Sequence, residues 1–301
     1  MATIIHLKNE QLDKTKWDEA IDASANKSVY ALSWYLDIVS PDWEALIKGD
    51  YESIMPLPAK QKFGIHYLIQ PVLCQQLGIF SKSIDSNITS FPDQIPVHFR
   101  FININLHQNS FSEKNTQKLT KRVNHELILN STYQELQKNY SRRTSRNIKI
   151  AQDAGLTLIY NMQPANFVDF KVSYAKPSLS KGFIKVFKAL CNHSVENNFG
   201  KIIAAQNKKD EIISAAFYIQ SCNRVYFLVT VSNKEGKETS AMSLILDLII
   251  REFAGSNYIL DFTGSSLKGV AFFNEGFGAK PSTYYSFISN RLPFLLKLLK
   301  K

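Results

Sequence analysis

Apolar residues recur along this chain in two rhythms, a helical one and an extended one, and their succession lays out the elements. Trp17, Ile21 and Ala25 share one helical face, and Tyr30, Trp34 and Ile38 repeat at i, i+4, i+8, so both stretches predict amphipathic helices. Short runs of strand composition follow, WEALIKG, YESIMPLPA and IHYLIQPVL, divided by turn pairs at Gly49-Asp50 and Phe63-Gly64, as in an antiparallel meander. Val97, Phe99, Phe101, Asn103 and Leu106 alternate imperfectly with polar residues and predict a further strand. VNHELIL then reads as a strand entering the helical stretch STYQELQKNYSRRTSRNIKIAQDAG. There Ser131 and Gln134 have capping-box spacing, Gly155 is a stop, and the helix is either long or broken near Tyr140-Ser141. Two helical segments, FVDFKVSYAK and GFIKVFKALCNHSVENN, precede three strands, KIIAAQN, EIISAAFYIQ and RVYFLVTVS, whose connectors have hairpin length. A helix with Met242, Leu246, Ile249 and Phe253 on one face leads to the short strand YILDF.

No repeat is visible in the letters, yet the element order recurs: helices, an antiparallel meander, then a further strand or helix-strand element, once in each half. That order predicts an α/β (α+β) fold of two tandem units, each a mixed, mostly antiparallel sheet flanked by helices. The expected units are residues 1–129 and 130–287. A basic apolar tail, 288–301, either docks on the first unit or lies on an anionic membrane surface.

Composition narrows the picture. With 301 residues and 45% hydrophobic content, the chain can bury two ordinary cores. Cys74, Cys191 and Cys222 lie far apart with no C-x-x-C pair, so neither a disulfide framework nor a metal site is expected. The charged N-terminus lacks an apolar signal core, and the longest apolar run, Leu244 to Ile250, is interrupted by Asp247; a cytoplasmic protein is expected. The 36 Lys and Arg against 26 Asp and Glu leave a net charge of +10, which favours polyanionic partners. Between Lys118 and Lys149, eight basic residues face only Glu126 and Glu135, so more than half of the net charge sits in that stretch.

Three ordered stretches, YSRRTSRNIKIAQDAGLTL, SLILDLIIREFAGSNYILDFTGSS and GVAFFNEGFGAKPSTYY, resemble the FemABX-like branch of the GNAT superfamily, in particular bacterial proteins with a BioF2-like or FemAB-like domain. SWYLDIV, the Met-Pro-Leu-Pro turn and QPVLCQQLGIF resemble the first unit of such proteins more loosely. The resemblance implies two tandem GNAT-like units and transfer of an acyl or aminoacyl group from an ester or thioester donor to an amine of an anionic or envelope-related acceptor. Peptidoglycan-building members use aminoacyl-tRNA; other relatives use acyl-CoA, and the sequence leaves both donors open. A non-catalytic binding protein with the same fold and a basic groove is the other reading.

Candidate site residues follow from these patterns. Arg142, Arg146 and Lys149 fall at i, i+4, i+7 with Arg143 beside them, a stripe suited to phosphates of a nucleotide, a tRNA or a lipid diphosphate, or else a solvated helix face. Gly236 and Thr239 lie in NKEGKETSAM, where the resemblance places a pyrophosphate-binding loop; Glu235 and Glu238 would repel a CoA diphosphate there, and a plain connector is the alternative. Asp261 at a strand end is a candidate base or acceptor-orienting group, or else closes an Asx-type turn. Tyr226 and Tyr284 are candidate proton donors. Phe273 and Asn274 take the position where the resemblance implies a Phe-Lys pair near the donor, with Asn in place of Lys. The six histidines are scattered and no nucleophile motif occurs, so direct amine attack, aided by orientation and an oxyanion-binding amide, is the expected chemistry.

Overall fold

The computed structural model describes residues 3–82, 88–110, 119–264 and 267–293. The chain divides into two units, Met1–Arg122 with Thr283–Lys301, and Val123–Ser282. The tail from Phe294 onward, and Ser265-Ser266 of the Gly-rich stretch, lie outside the described residues.

The first unit carries β1 (Ile4–Lys8), α1 (Lys14–Ala23), α2 (Ser33–Val39), β2 (Glu44–Lys48), β3 (Ser53–Leu57), β4 (Ala59–Lys62), β5 (Ile65–Ile69), β6 (Phe80–Ser81) and β7 (Phe99–His107). One sheet runs β1-β2-β3-β6; β4, β5 and β7 pair in a second, with residues 284–290 antiparallel to β7. Trp17 and Trp43 pack at 4.8 Å between ring centroids, and their indole N–H groups are satisfied by the Ala31 carbonyl (2.7 Å) and the Asp37 carboxylate (2.9 Å). Two sequence expectations are corrected here. The helix expected through Tyr30, Trp34 and Ile38 is a 3-10 turn and the short α2, because Leu32 between them is extended; Tyr35, Leu36 and Val39 are buried instead of Trp34 and Ile38. In β7 the buried side is Phe99, Ile102, Ile104 and Leu106, while Val97 is exposed. His66 pairs Phe99 and Tyr67 pairs Phe101, so Arg100 is an extra residue and the alternation changes phase across this bulge.

The second unit is ordered β8-β13-β12-β11-β10-β9 along its sheet. Its elements are β8 (Leu119–Ile128, entering the unit at Val123), α3 (Tyr133–Lys138), α4 (Arg142–Asp153), β9 (Thr157–Tyr160), α5 (Pro164–Tyr174), α6 (Lys181–Glu196), β10 (Gly200–Gln206), β11 (Ile212–Ser221), β12 (Arg224–Ser232), α7 (Lys234–Glu238), α8 (Ala241–Phe253), β13 (Ile259–Asp261), α9 (Lys268–Gly276) and the start of β14 (Lys280–Asn290). Thr132, not Ser131, caps α3, its side chain accepting from the Glu135 N–H and Glu135 closing the capping box. The helical stretch breaks at Ser141, which caps α4 through the Thr144 N–H. Successive residues of β11 serve opposite faces of the sheet. Ala216 and Tyr218 join the core built with Ile148 of α4 and Leu246, Ile249 and Ile250 of α8, whereas Phe217 meets Phe167 of α5, which stacks on Phe187 of α6. Asp247, buried on α8, accepts from the hydroxyls of Tyr133 (2.9 Å) and Tyr140 (3.0 Å), which is how an apolar helix tolerates a carboxylate. No described helix is long and apolar enough to cross a membrane.

Candidate active site

The site is made by two strands that begin together and part. β12 and β13 are parallel and pair only from Arg224↔Ile259 to Tyr226↔Asp261. Beyond that point β12 continues through Ser232, while the chain after Asp261 turns away. A cavity of about 430 Å³ opens there, lined by β12, the first turn of α8 at Met242, the turn at 262–264, and α9. A β-bulge shapes its floor: Tyr218 pairs Phe227 and Phe217 pairs Val229, leaving Leu228 with no opposite residue. Phe227, Leu228 and Thr230 of β12 all line the cavity, where the strand has parted from β13.

The open end is held by a buried polar cluster. Asp261, 1% exposed, accepts from the Asn124 amide (2.8 Å), from the Thr263 N–H (2.8 Å) and from Arg224 (3.4 Å), which also binds Glu126 (2.9 Å). Burial raises the Asp261 pKa and Arg224 opposes that shift. Asn124 in turn accepts the Gly264 N–H at 3.0 Å. Thr263 adopts positive φ (56°) and donates its hydroxyl to the Phe227 carbonyl (2.9 Å), pinning the turn to the bulge. The Asp261 carboxylate thus closes an Asx-type turn, with its oxygens accepting from protein donors.

The other sequence candidates separate. Phe273 and Asn274 line the cavity; Phe273 stacks edge-on against Phe277 at 5.2 Å, and Asn274 is buried. Tyr226 is buried in β12 beside Asp261 in register, before the strands part. Tyr284 belongs to the first unit, opposite His107. The segment 233–240 is a short helix with a turn. Gly236 donates its N–H to Asn233 (2.8 Å) and packs so closely on β11 that a Cβ would lie 2.1 Å from the Ile213 carbonyl oxygen. Thr239 ends α7 and returns its hydroxyl to the Glu235 carbonyl, while the Glu235 carboxylate accepts from Asn207. Arg142, Arg143, Arg146 and Lys149 are exposed on α4, and none forms an ion pair among the described residues.

Sequence reasoning missed Asn124, Arg224, Leu228, Thr263 and Lys171. Lys171, partly buried on α5, donates to the carbonyl of the cavity residue Thr230 (2.8 Å), and burial lowers its pKa with no carboxylate near enough to offset it. Among the described residues, none of the side chains lining the cavity is titratable. Among the described residues no group of His, Cys, Asp or Glu is arranged to hold a metal ion.

This fold, with its splayed parallel pair in the second unit, is similar to that of solved aminoacyl-transferase-type structures including FemX and L-PGS. FemX superposes with a TM-score of 0.69 over 99% of this chain and 100% of its own, at 11% identity. A conserved protein of unknown function from Bacteroides thetaiotaomicron gives 0.59 over 95% of this chain and 100% of its own, at 7% identity. L-PGS from Bacillus licheniformis gives 0.57 over 95% of each chain, at 8% identity. No family model matches the sequence, and no curated protein matches it.

Proposed function

We propose that the protein is an acyl- or aminoacyltransferase whose reaction takes place in the cavity between β12 and β13. The observation that carries this reading is the uncharged 430 Å³ cavity over the Leu228 bulge, beside a helix of unpaired cations. The acyl group of an ester or thioester donor enters the cavity, and the donor's phosphates lie toward α4. An acceptor amine attacks the acyl carbon, the C–N bond forms, and negative charge gathers on the carbonyl oxygen. In this reading the backbone amide of Leu228, at the bulge, donates to that charge. The C–O or C–S bond then breaks, and the amine's proton passes to the departing oxygen or sulfur. With no titratable side chain in the lining, the rate comes from orientation and fixed dipoles. FemX and L-PGS share the fold, which supports transfer chemistry of this kind.

The test supplies the purified protein with isotope-labelled aminoacyl-tRNAs or acyl-CoA and with envelope-derived amine acceptors. Protein-dependent movement of label into an acid-stable amide is expected. If label leaves neither donor class, the reading fails; binding of a donor without transfer supports the non-catalytic alternative.

A further inference from the structure

Where β12 parts from β13, backbone groups of β12 lose the strand beside them. Asn233 donates its N–H to the Ile213 carbonyl, so the alternation of the antiparallel ladder turns Val231 and Val229 toward β11. The N–H and C=O of Thr230, opposite Ala216, then point to the other edge, where pairing with β13 has already stopped at Tyr226. At that edge Thr263 covers the Phe227 carbonyl, and the Thr230 carbonyl is taken by Lys171 Nζ at 2.8 Å. Lys171 comes from a different layer than the cavity wall. α5 packs Phe167, one turn before Lys171, on the Phe217 face of the sheet, whereas α8 covers the Ala216 face and borders the cavity with Met242.

The ammonium brought to this edge has no counter-charge. Lys171 forms no ion pair among the described residues, and burial lowers its pKa with nothing opposing it. One of its three N–H bonds goes to Thr230, leaving two without a protein acceptor among the described residues. Charges taken out of water are ordinarily paired, so a partly buried cation beside an uncharged cavity calls for an anion from outside the chain. We propose that Lys171, at the open edge of β12, is the anion subsite of this cavity and takes one carboxylate of the amine-bearing acceptor. A single cation with two spare donors matches the single charge of a carboxylate. A phosphate monoester, with about −1.5 to −2 charges and three strong acceptor oxygens, would be left uncompensated. The carboxyl of an ester or thioester donor is itself esterified, so the free carboxylate belongs to the acceptor. That assignment rests on the transferase reading; the binding of a carboxylate at Lys171 does not.

Hexanoate offers an apolar chain to the cavity and a carboxylate to Lys171, with hexanamide as its neutral counterpart and hexyl phosphate as its phosphorylated one. In calorimetric titration the wild type should bind hexanoate more tightly than hexanamide. Lys171→Met should weaken hexanoate about 10- to 150-fold and leave hexanamide unchanged, while Lys171→Arg keeps the preference for hexanoate. The Lys171 Nζ resonance, identified by its loss in Lys171→Met, should shift with hexanoate and not with hexanamide. Because Lys171→Met removes a partly buried charge, it should melt no lower than the wild type near neutral pH. Hexanoate that fails to bind the wild type, or binds Lys171→Met equally well, overturns the proposal and leaves Lys171 a guard of an open strand edge. So does Lys171-dependent binding of hexyl phosphate in preference to hexanoate. Lys171-dependent hexanoate binding without acyl transfer from either donor class leaves the subsite standing and removes the transferase reading. Transfer with the same acceptor KM in Lys171→Met does the reverse.

Discussion

Lys171 illustrates how one side chain can cost stability and still be kept. Its ammonium is partly buried against the Thr230 carbonyl with no carboxylate partner, and burial lowers its pKa from the ordinary 10.5. The unfolded chain therefore holds that proton to higher pH than the folded one. The resulting destabilisation is full below the lowered pKa and fades as pH rises toward 10.5. Lys171→Met is expected to melt higher than the wild type near neutral pH, with the gain shrinking in alkaline buffer, and to transfer more slowly because the positive charge behind the cavity strand is gone. Equal melting of the two proteins across pH would refute this. Asp261 is the opposite case: Asp261→Ala leaves the Asn124 amide and the Thr263 N–H without their acceptor and Arg224 with Glu126 alone, and should cost about 1–3 kcal/mol in denaturant unfolding.

At the scale of elements, close packing accounts for Gly236, which the sequence offered either as part of a pyrophosphate-binding loop or as part of a plain connector. Gly236 sits in α7 where a Cβ would collide with backbone of β11, so Gly236→Ala should destabilise by about 1–3 kcal/mol, read as a shift in the denaturation midpoint. Thr132→Ala should remove about 1 kcal/mol by uncapping α3, whereas Ser131→Ala should be near neutral. These positions also show what could be read in advance. The helices and strands around β10 to β12 and α8 were legible because their apolar periodicity is long and uninterrupted. The cap was misplaced by one residue because Ser131-Thr132 and Gln134-Glu135 offer two boxes of equal spacing, and only the backbone at Thr132 chooses between them. The phase of β7 was lost at Arg100, since a bulge leaves no trace in composition. At the candidate site, Phe273, Asn274 and the α4 cations were found as residue types in an ordered motif. Asn124 and Arg224 reach Asp261 from 137 and 37 residues away, a juxtaposition created by the antiparallel pairing of β13 with β8 and its parallel pairing with β12.

Across the whole molecule, charge and pH act on the two units separately. In the first, His98 lies 5.8 Å from His6 and 5.3 Å from His66, ring to ring; burial lowers its pKa below 6.5, with His6, His66 and Arg100 lowering it further and Glu44 opposing. The unfolded chain then binds the extra proton. Stability contributed here is present above pH 6.5 and is lost as pH falls below it, so melting should drop on acidification less steeply in His98→Gln than in the wild type. In the second unit, Arg142→Ala with Arg146→Ala should lower by about 1.4 the slope of log affinity against log salt for single-stranded RNA used as a polyanion probe. The unit's uncharged cavity has a kinetic corollary. On the proposed transferase reading, a cavity whose described lining carries no acid or base leaves the ionisation of the acceptor amine as the chief proton event on the path to reaction. The rate should rise with pH and level off at the amine's own pKa, near 8 for an α-amino group and about 10.4 for a lysine side chain. Its pH–rate profile becomes a label for the acceptor, readable before that acceptor is purified.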